Sequence, residues 1–114
     1  MNEREILQAV RDLIEKGWMQ AAPAGVFDGA ALQPCRSSDP RATHFCLEGA
    51  INRVCESKLP ISLYVFELLS AQIGAYMCLG MNAKTRKITW WNDQPGRTKE
   101  QVIELIDKTL ENLE

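Results

Sequence analysis

Three observations predict a mainly α-helical single domain with a minor β element. The 114 residues are 46% hydrophobic and 25% charged, the balance of an ordinary globular domain. Apolar residues recur at helical spacing in three long stretches. Two of these stretches open with capping boxes, Asn2-Glu3-Arg4-Glu5 and Thr98-Lys99-Glu100-Gln101. In each, an Asn or Thr side chain takes the N3 amide while Glu or Gln reaches back to the cap. About four helices in one domain spanning residues 1–114 are expected.

The first helix is expected over residues 3–16, with Ile6, Leu7, Val10, Leu13 and Ile14 forming its apolar stripe. Lys16 suits the last turn and Gly17 the position just beyond it. Trp18 follows directly and is expected to fold back onto the stripe. Residues 19–38 are irregular, punctuated by Pro23, Gly25, Asp28-Gly29 and Pro34. Asp28-Gly29, between Val26-Phe27 and Ala30-Ala31-Leu32, signals a small hairpin. A second helix is expected from Asp39 as N-cap and Pro40 as first residue, running to about Ser57. Ala42, Cys46, Gly49, Ala50 and Arg53 lie along one side of it, a mostly small-residue stripe that admits a close neighbour.

Leu59-Pro60 breaks the chain before a third helix, Ile61 to Cys78. That helix is apolar on most sides, so it is expected to be central and the most buried; Gly80 and Asn82 end it. Lys84 to Lys87 reads as a polar turn, and Ile88-Thr89-Trp90-Trp91 as a short β-prone segment. Pro95-Gly96 fits the central positions of a type II turn. The last helix, Lys99 to Leu113, offers Val102, Ile103, Leu105, Ile106, Leu110 and Leu113 for burial.

Net charge is −2 and the basic residues are scattered, which argues against nucleic acid as a partner. The longest apolar run, Ile61 to Leu69, is too short to span a bilayer, so no membrane partner is expected. The chain opens directly with an acidic amphipathic helix. That predicts no secretory leader, a cytoplasmic protein and four reduced cysteines (Cys35, Cys46, Cys55, Cys78) serving as small hydrophobes. No glycine-rich phosphate loop is present, and no cofactor is expected.

Candidate chemistry is sparse. On a helix over residues 40–57, His44 and Cys46 point about 160° apart, and Cys46 and Cys55 face opposite sides. One histidine and no C-x-x-C spacing leave zinc without converging ligands, so no metal site is expected. A Cys–His nucleophile fails on the same helical geometry unless His44 meets Cys35 or Cys78 across the fold. Glu67 interrupts the apolar third helix and is expected to face solvent rather than pair with Arg53 or Arg97.

The densest special chemistry is Trp90-Trp91-Asn92-Asp93-Gln94-Pro95-Gly96-Arg97-Thr98. If extended, the two tryptophans point to opposite faces. An outward indole beside Arg97 and the start of the last helix would make an anion or partner site. The competing structural reading has Asn92 and Asp93 capping the turn, Arg97 pairing with Asp93, and both indoles packed on helices.

Gly17-Trp18-x-Gln20, Phe45-Cys46-Leu47-Glu48-Gly49-Ala50 and Trp91-Asn92-Asp93-x-Pro95-Gly96-Arg97-Thr98 together resemble a family of small bacterial and phage proteins of unknown function. Its members typically read G-W-C-Q, R-W-C-L-x-G-A-L and W-N-D-x-P-G-R-T. Here Met19 replaces the first cysteine and Phe45 the tryptophan, so that cysteine is not an indispensable nucleophile or ligand in this chain. The resemblance implies a shared compact fold and a phage or mobile-element setting, and brings no activity with it.

The expected function is a non-enzymatic interaction protein, a phage or mobile-element accessory factor that modulates a partner protein, with Gln20, Trp91, Asn92, Asp93 and Arg97 as binding residues. The alternative is a small hydrolase or transferase gathering Gln20, His44, Cys46, Asn92, Asp93 and Arg97. A homodimer through exposed parts of the third helix is a further option.

Overall fold

The computed structural model describes residues 1–56, 60–73 and 84–113. In chain order the elements are α1 (Glu3–Lys16), β1 (Ala24–Asp28), β2 (Ala31–Cys35), β3 (His44–Phe45), α2 (Leu47–Cys55), α3 (Ile61–Ile73), α4 (Lys84–Asn92) and α5 (Lys99–Glu111). The expected mainly helical domain is found, with five helices in place of about four and a three-stranded antiparallel sheet of order β2-β1-β3 among the described residues.

Local signals decide α1 and α5. Both capping boxes form, Asn2 with Glu5 and Thr98 with Gln101. Ile6, Leu7, Val10 and Ile14 bury one face of α1, and Val102, Leu105, Ile106 and Leu110 one face of α5. The two helices run antiparallel. Arg4 Nη2 donates to the carbonyls of Leu110 and Leu113 at one end, Lys99 Nζ donates to Glu15 O at the other, and Arg11 Nε reaches Asp107 Oδ1 at 2.7 Å between them.

The hairpin forms as expected. Gly29 stands at φ +65° as the first of two loop residues, the type II′ requirement that Gly meets without steric cost. Asp28 pairs with Ala31, Phe27 with Leu32 and Gly25 with Pro34. On the other side Gly25 pairs with His44 of β3, and its carbonyl accepts from Thr43 N. Gly25 is thus turned towards β3, so Pro34 directs its ring nitrogen outward, where a missing N–H costs no ladder bond.

Two expectations are corrected. The second helix begins at Leu47, not at Asp39-Pro40. Asp39 does cap, but only a single turn: its Oδ1 accepts from Arg41 N and its carbonyl from Ala42 N. The following amides are taken by other segments: Thr43 N bonds Gly25 O, Phe45 N bonds Gly17 O, and Cys46 N bonds Pro23 O. These pairings hold residues 43–46 extended, and Cys46 becomes the N-cap, its Sγ accepting from Gly49 N. His44 and Cys46 are therefore not on a common helix.

The second correction is α4. Residues 84–92 are helical, not a polar turn followed by a β-prone segment. Ile88, Trp91 and Asn92 are buried at i, i+3 and i+4, one helical face. Tertiary burial of that face overrides the β preference of Ile-Thr-Trp-Trp.

Helix α3 is central, touching α1, α2, α4 and α5. It is not the most buried: Leu63 and Tyr64 are 51% and 45% exposed. The expected continuation through Gly74, Tyr76, Met77 and Cys78, and the stop at Gly80 and Asn82, lie outside the described residues. One hydrophobic core joins α1, α2, α3, α4 and α5 with Ala24 and Phe45 of the sheet, and Trp18 packs against it. No helix among the described residues is long and apolar enough to cross a membrane.

Close approach, not backbone conformation, dictates Gly49. A Cβ there would overlap the Pro23 carbonyl. Gly29 is the converse, with a left-handed backbone and open space around it. Gly49→Ala is expected to cost about 2–3 kcal/mol through forced backbone displacement, and Gly29→Ala about 1 kcal/mol through backbone conformation alone. Urea unfolding of the two variants measures the difference.

Candidate functional site

The junction between α4 and α5 brings together all five sequence-predicted binding residues, but it uses them in two different ways. The inner part is a hydrogen-bonded knot around Asn92, which is fully buried. Its Oδ1 accepts from Trp18 Nε1 (2.7 Å) and from Leu47 N (3.1 Å), and its Nδ2 donates to Met19 O (3.2 Å) and to Asp93 Oδ1 (2.9 Å). A carboxamide has two acceptor and two donor positions, and here all four are filled. Leu47 N is one of the unpaired amides at the start of α2, so the end of α4 caps the start of another helix.

The carbonyls at the end of α4 are satisfied by side chains. Gln94 Nε2 donates to Trp90 O, Arg97 Nε to Trp91 O, and Gln20 Nε2 to both Asn92 O and Gln94 O. Asp93 N closes onto Thr89 O. The chain then turns through Pro95-Gly96 as expected, with Arg97 N on Gln94 O (3.0 Å) and Gly96 at φ +82°.

Asp93 does not pair with Arg97. Its Oδ1 accepts from Ala21 N (3.1 Å) and from the Asn92 amide. Ala21 stands at φ +74°, in the left-handed region, with its N–H directed to this carboxylate. The two tryptophans are not extended to opposite faces: Trp91 is 7% exposed, and Trp90 is half-buried on the same helix.

The outer part is a groove of about 290 Å³ lined by Gln72, Ile73, Trp91, Arg97, Gln101, Glu104, Leu105 and Lys108. The Arg97 guanidinium carbon lies 3.9 Å from the centre of the Trp91 ring. Stacking, together with the Nε bond to Trp91 O, fixes its plane. Neither Nη has an acceptor among the described residues. Of the predicted residues, Trp91 and Arg97 face this groove, whereas Gln20, Asn92 and Asp93 form the frame behind it.

Sequence reasoning missed Gln94 as a cap, although its position four residues after Trp90 is a local signal. It also missed Trp18 as the donor to Asn92 and Gln72, Gln101 and Lys108 as groove residues. These depend on tertiary packing, and nothing local announces them.

A second, smaller cavity of about 130 Å³ lies beside the knot, lined by Ala21, Ala22, Pro23, Cys46, Glu48, Thr89 and Asp93. Burial, then the Asp93 carboxylate, push the Glu48 carboxyl above its usual range. Burial pushes the Cys46 thiol up to about 11, against the lowering effect of the Gly49 amide. Its raised pKa leaves Cys46 almost wholly a thiol near neutral pH, a poor nucleophile. His44 supplies no base to it: its Nδ1 lies 2.8 Å from Thr43 Oγ1, and its ring faces Phe27 on the outer side of the sheet. No cluster of three or more metal-ligating side chains occurs among the described residues.

The chain belongs to DUF6197, a family of unknown function, which matches residues 1–112. No curated protein and no solved structure matches it.

Two outcomes test the division between frame and groove. Asn92→Ala leaves the Trp18 indole N–H and the Leu47 amide without their buried acceptor, and is expected to cost about 2–6 kcal/mol at about 1–3 per group, read by urea unfolding. In native protein at pH 7.5, Cys46 is expected to resist iodoacetamide until unfolding, while half-buried Cys35 reacts before it. Mass spectrometry of the alkylated peptides gives the order.

Proposed function

We propose that this protein is a non-catalytic interaction module that holds a partner protein in the groove between α3, the end of α4 and α5. The observation that carries this reading is Arg97, lying over the Trp91 ring and anchored through Nε, with neither Nη bonded to an acceptor among the described residues. Trp and Arg are the residue types most enriched at interface hot spots, and rigid presentation lowers the entropy cost of binding. Gln20, Asn92 and Asp93 contribute by holding this wall in place. The raised pKa of Cys46 and the turn of His44 away from it weigh against the hydrolase or transferase reading. The setting attached to this proposal is the cytoplasm, as a phage or mobile-element accessory factor that modulates its partner; the motif resemblance supplies the motive for it.

A photo-crosslinking residue placed at Lys108, on the groove, is compared with one at exposed Asp12 of α1. The expected result is a discrete adduct with one partner at position 108 and none at position 12. The identified and purified partner should then bind the unmodified protein saturably and compete with the adduct. Equal labelling at both positions, or none at 108, overturns the reading. An adduct of twice the chain mass would assign the groove to a second copy.

A further inference from the structure

Taking the groove as the contact surface, a reading on which this step rests, we infer that it receives an anionic group: the carboxylate of an acidic peptide segment, gripped by Arg97. Geometry is the first argument. With Nε on Trp91 O and the guanidinium carbon 3.9 Å from the centre of the Trp91 ring, the two terminal nitrogens, which have no acceptor among the described residues, remain as a held fork. Such a fork matches the two oxygens of a carboxylate, and its orientation is set before the ligand arrives.

Charge is the second argument. Arg97, Lys108 and Glu104 are the charged residues lining the groove among the described residues, and Lys108 Nζ stands 3.8 Å from Glu104 Oε1. One positive charge is left over, which a single carboxylate neutralises. The neighbouring donors agree: Gln101 spends its Oε1 on Thr98 N, so its remaining polar group is an N–H₂.

Size is the third. At about 290 Å³ the groove falls just below the range of small-molecule sites, about 300–1,000 Å³, and suits one or two side chains. Ile73 and Leu105 in its lining accept the methylenes of a glutamate or a flanking leucine. A phosphate group shares the anionic chemistry but has no use for that apolar lining.

The test is an NMR titration of the full chain, following the Arg97 Nε–H and Trp91 indole N–H resonances. The probes are N-acetyl-Leu-Glu-Glu-Leu amide, the same peptide with Gln for Glu, and inorganic phosphate. The acidic peptide is expected to shift both resonances saturably, to bind at least tenfold tighter than the Gln peptide, and to weaken as salt rises to ~0.3 M. Arg97→Gln should lose at least tenfold in affinity. Because Arg97 also caps Trp91 O, Lys108→Gln serves as the second variant. Its side chain is exposed and, among the described residues, tied to Glu104 alone, so binding should fall two- to fivefold with an unchanged Tm.

Equal binding of the two peptides, no saturable shift with the acidic one, or full affinity in both variants overturns the inference. Saturation by phosphate at lower concentration than by the acidic peptide moves the assignment from a carboxylate to a phosphate. A partner that crosslinks at position 108 yet binds Arg97→Gln and Lys108→Gln at full strength keeps the interface and removes only the anion. Loss of the crosslink removes both.

Discussion

The amide of Asn92 is the interaction on which the rest of the structure depends. It sits where three segments meet: the end of α4, the start of α2 and the strand-like stretch around Trp18 and Met19. Each arrives with a buried polar group that needs a partner, and one saturated carboxamide serves them all. The soft sulfur of Cys46 is a weak acceptor for the opening amides of α2, so the stronger oxygen of Asn92 completes that cap. Once α4 ends at this point, its last carbonyls must be met by Gln20, Gln94 and Arg97, and Arg97 is drawn over Trp91. The groove wall thus follows from the frame.

Polar ties of another kind align α1 with α5. Arg11 and Asp107 form a partly exposed ion pair, and Arg4 and Lys99 reach carbonyls at opposite ends of the helix pair. Exposed pairs of this sort contribute at most about 1 kcal/mol each. Their role is to set direction and offset, while Leu7, Val10, Ile14, Val102 and Ile106, all fully buried, supply most of the stabilisation by leaving water.

What could be read from residues alone was whatever is decided within a few residues. The two capping boxes, the Asp28-Gly29 hairpin and the Pro95-Gly96 turn each satisfy a local steric or hydrogen-bonding demand, and all stand where expected. The errors fall where distant segments compete for the same backbone. Asp39-Pro40 is a sound helix start in isolation, but the sheet claims Thr43 and Phe45 first. Ile88-Thr89-Trp90-Trp91 reads as a strand, but the core selects the helical face of Ile88, Trp91 and Asn92. The candidate site was legible as a region, since Gln20, Trp91, Asn92, Asp93 and Arg97 do converge. Its division into frame and groove was not, because an asparagine's partners across 45 to 74 residues of sequence leave no local trace.

The proline on the rim of the hairpin has a consequence for how the molecule behaves in a crowd. An open strand edge next to a 56% exposed Phe27 is ordinarily an invitation for neighbouring molecules to stack strand upon strand. Pro34 withdraws a donor from that outer rim, so an incoming chain meets an incomplete ladder. The sheet ends at β2, and the strand that leaves Phe27 exposed is bordered by one whose free edge offers one donor fewer for a further strand to pair with.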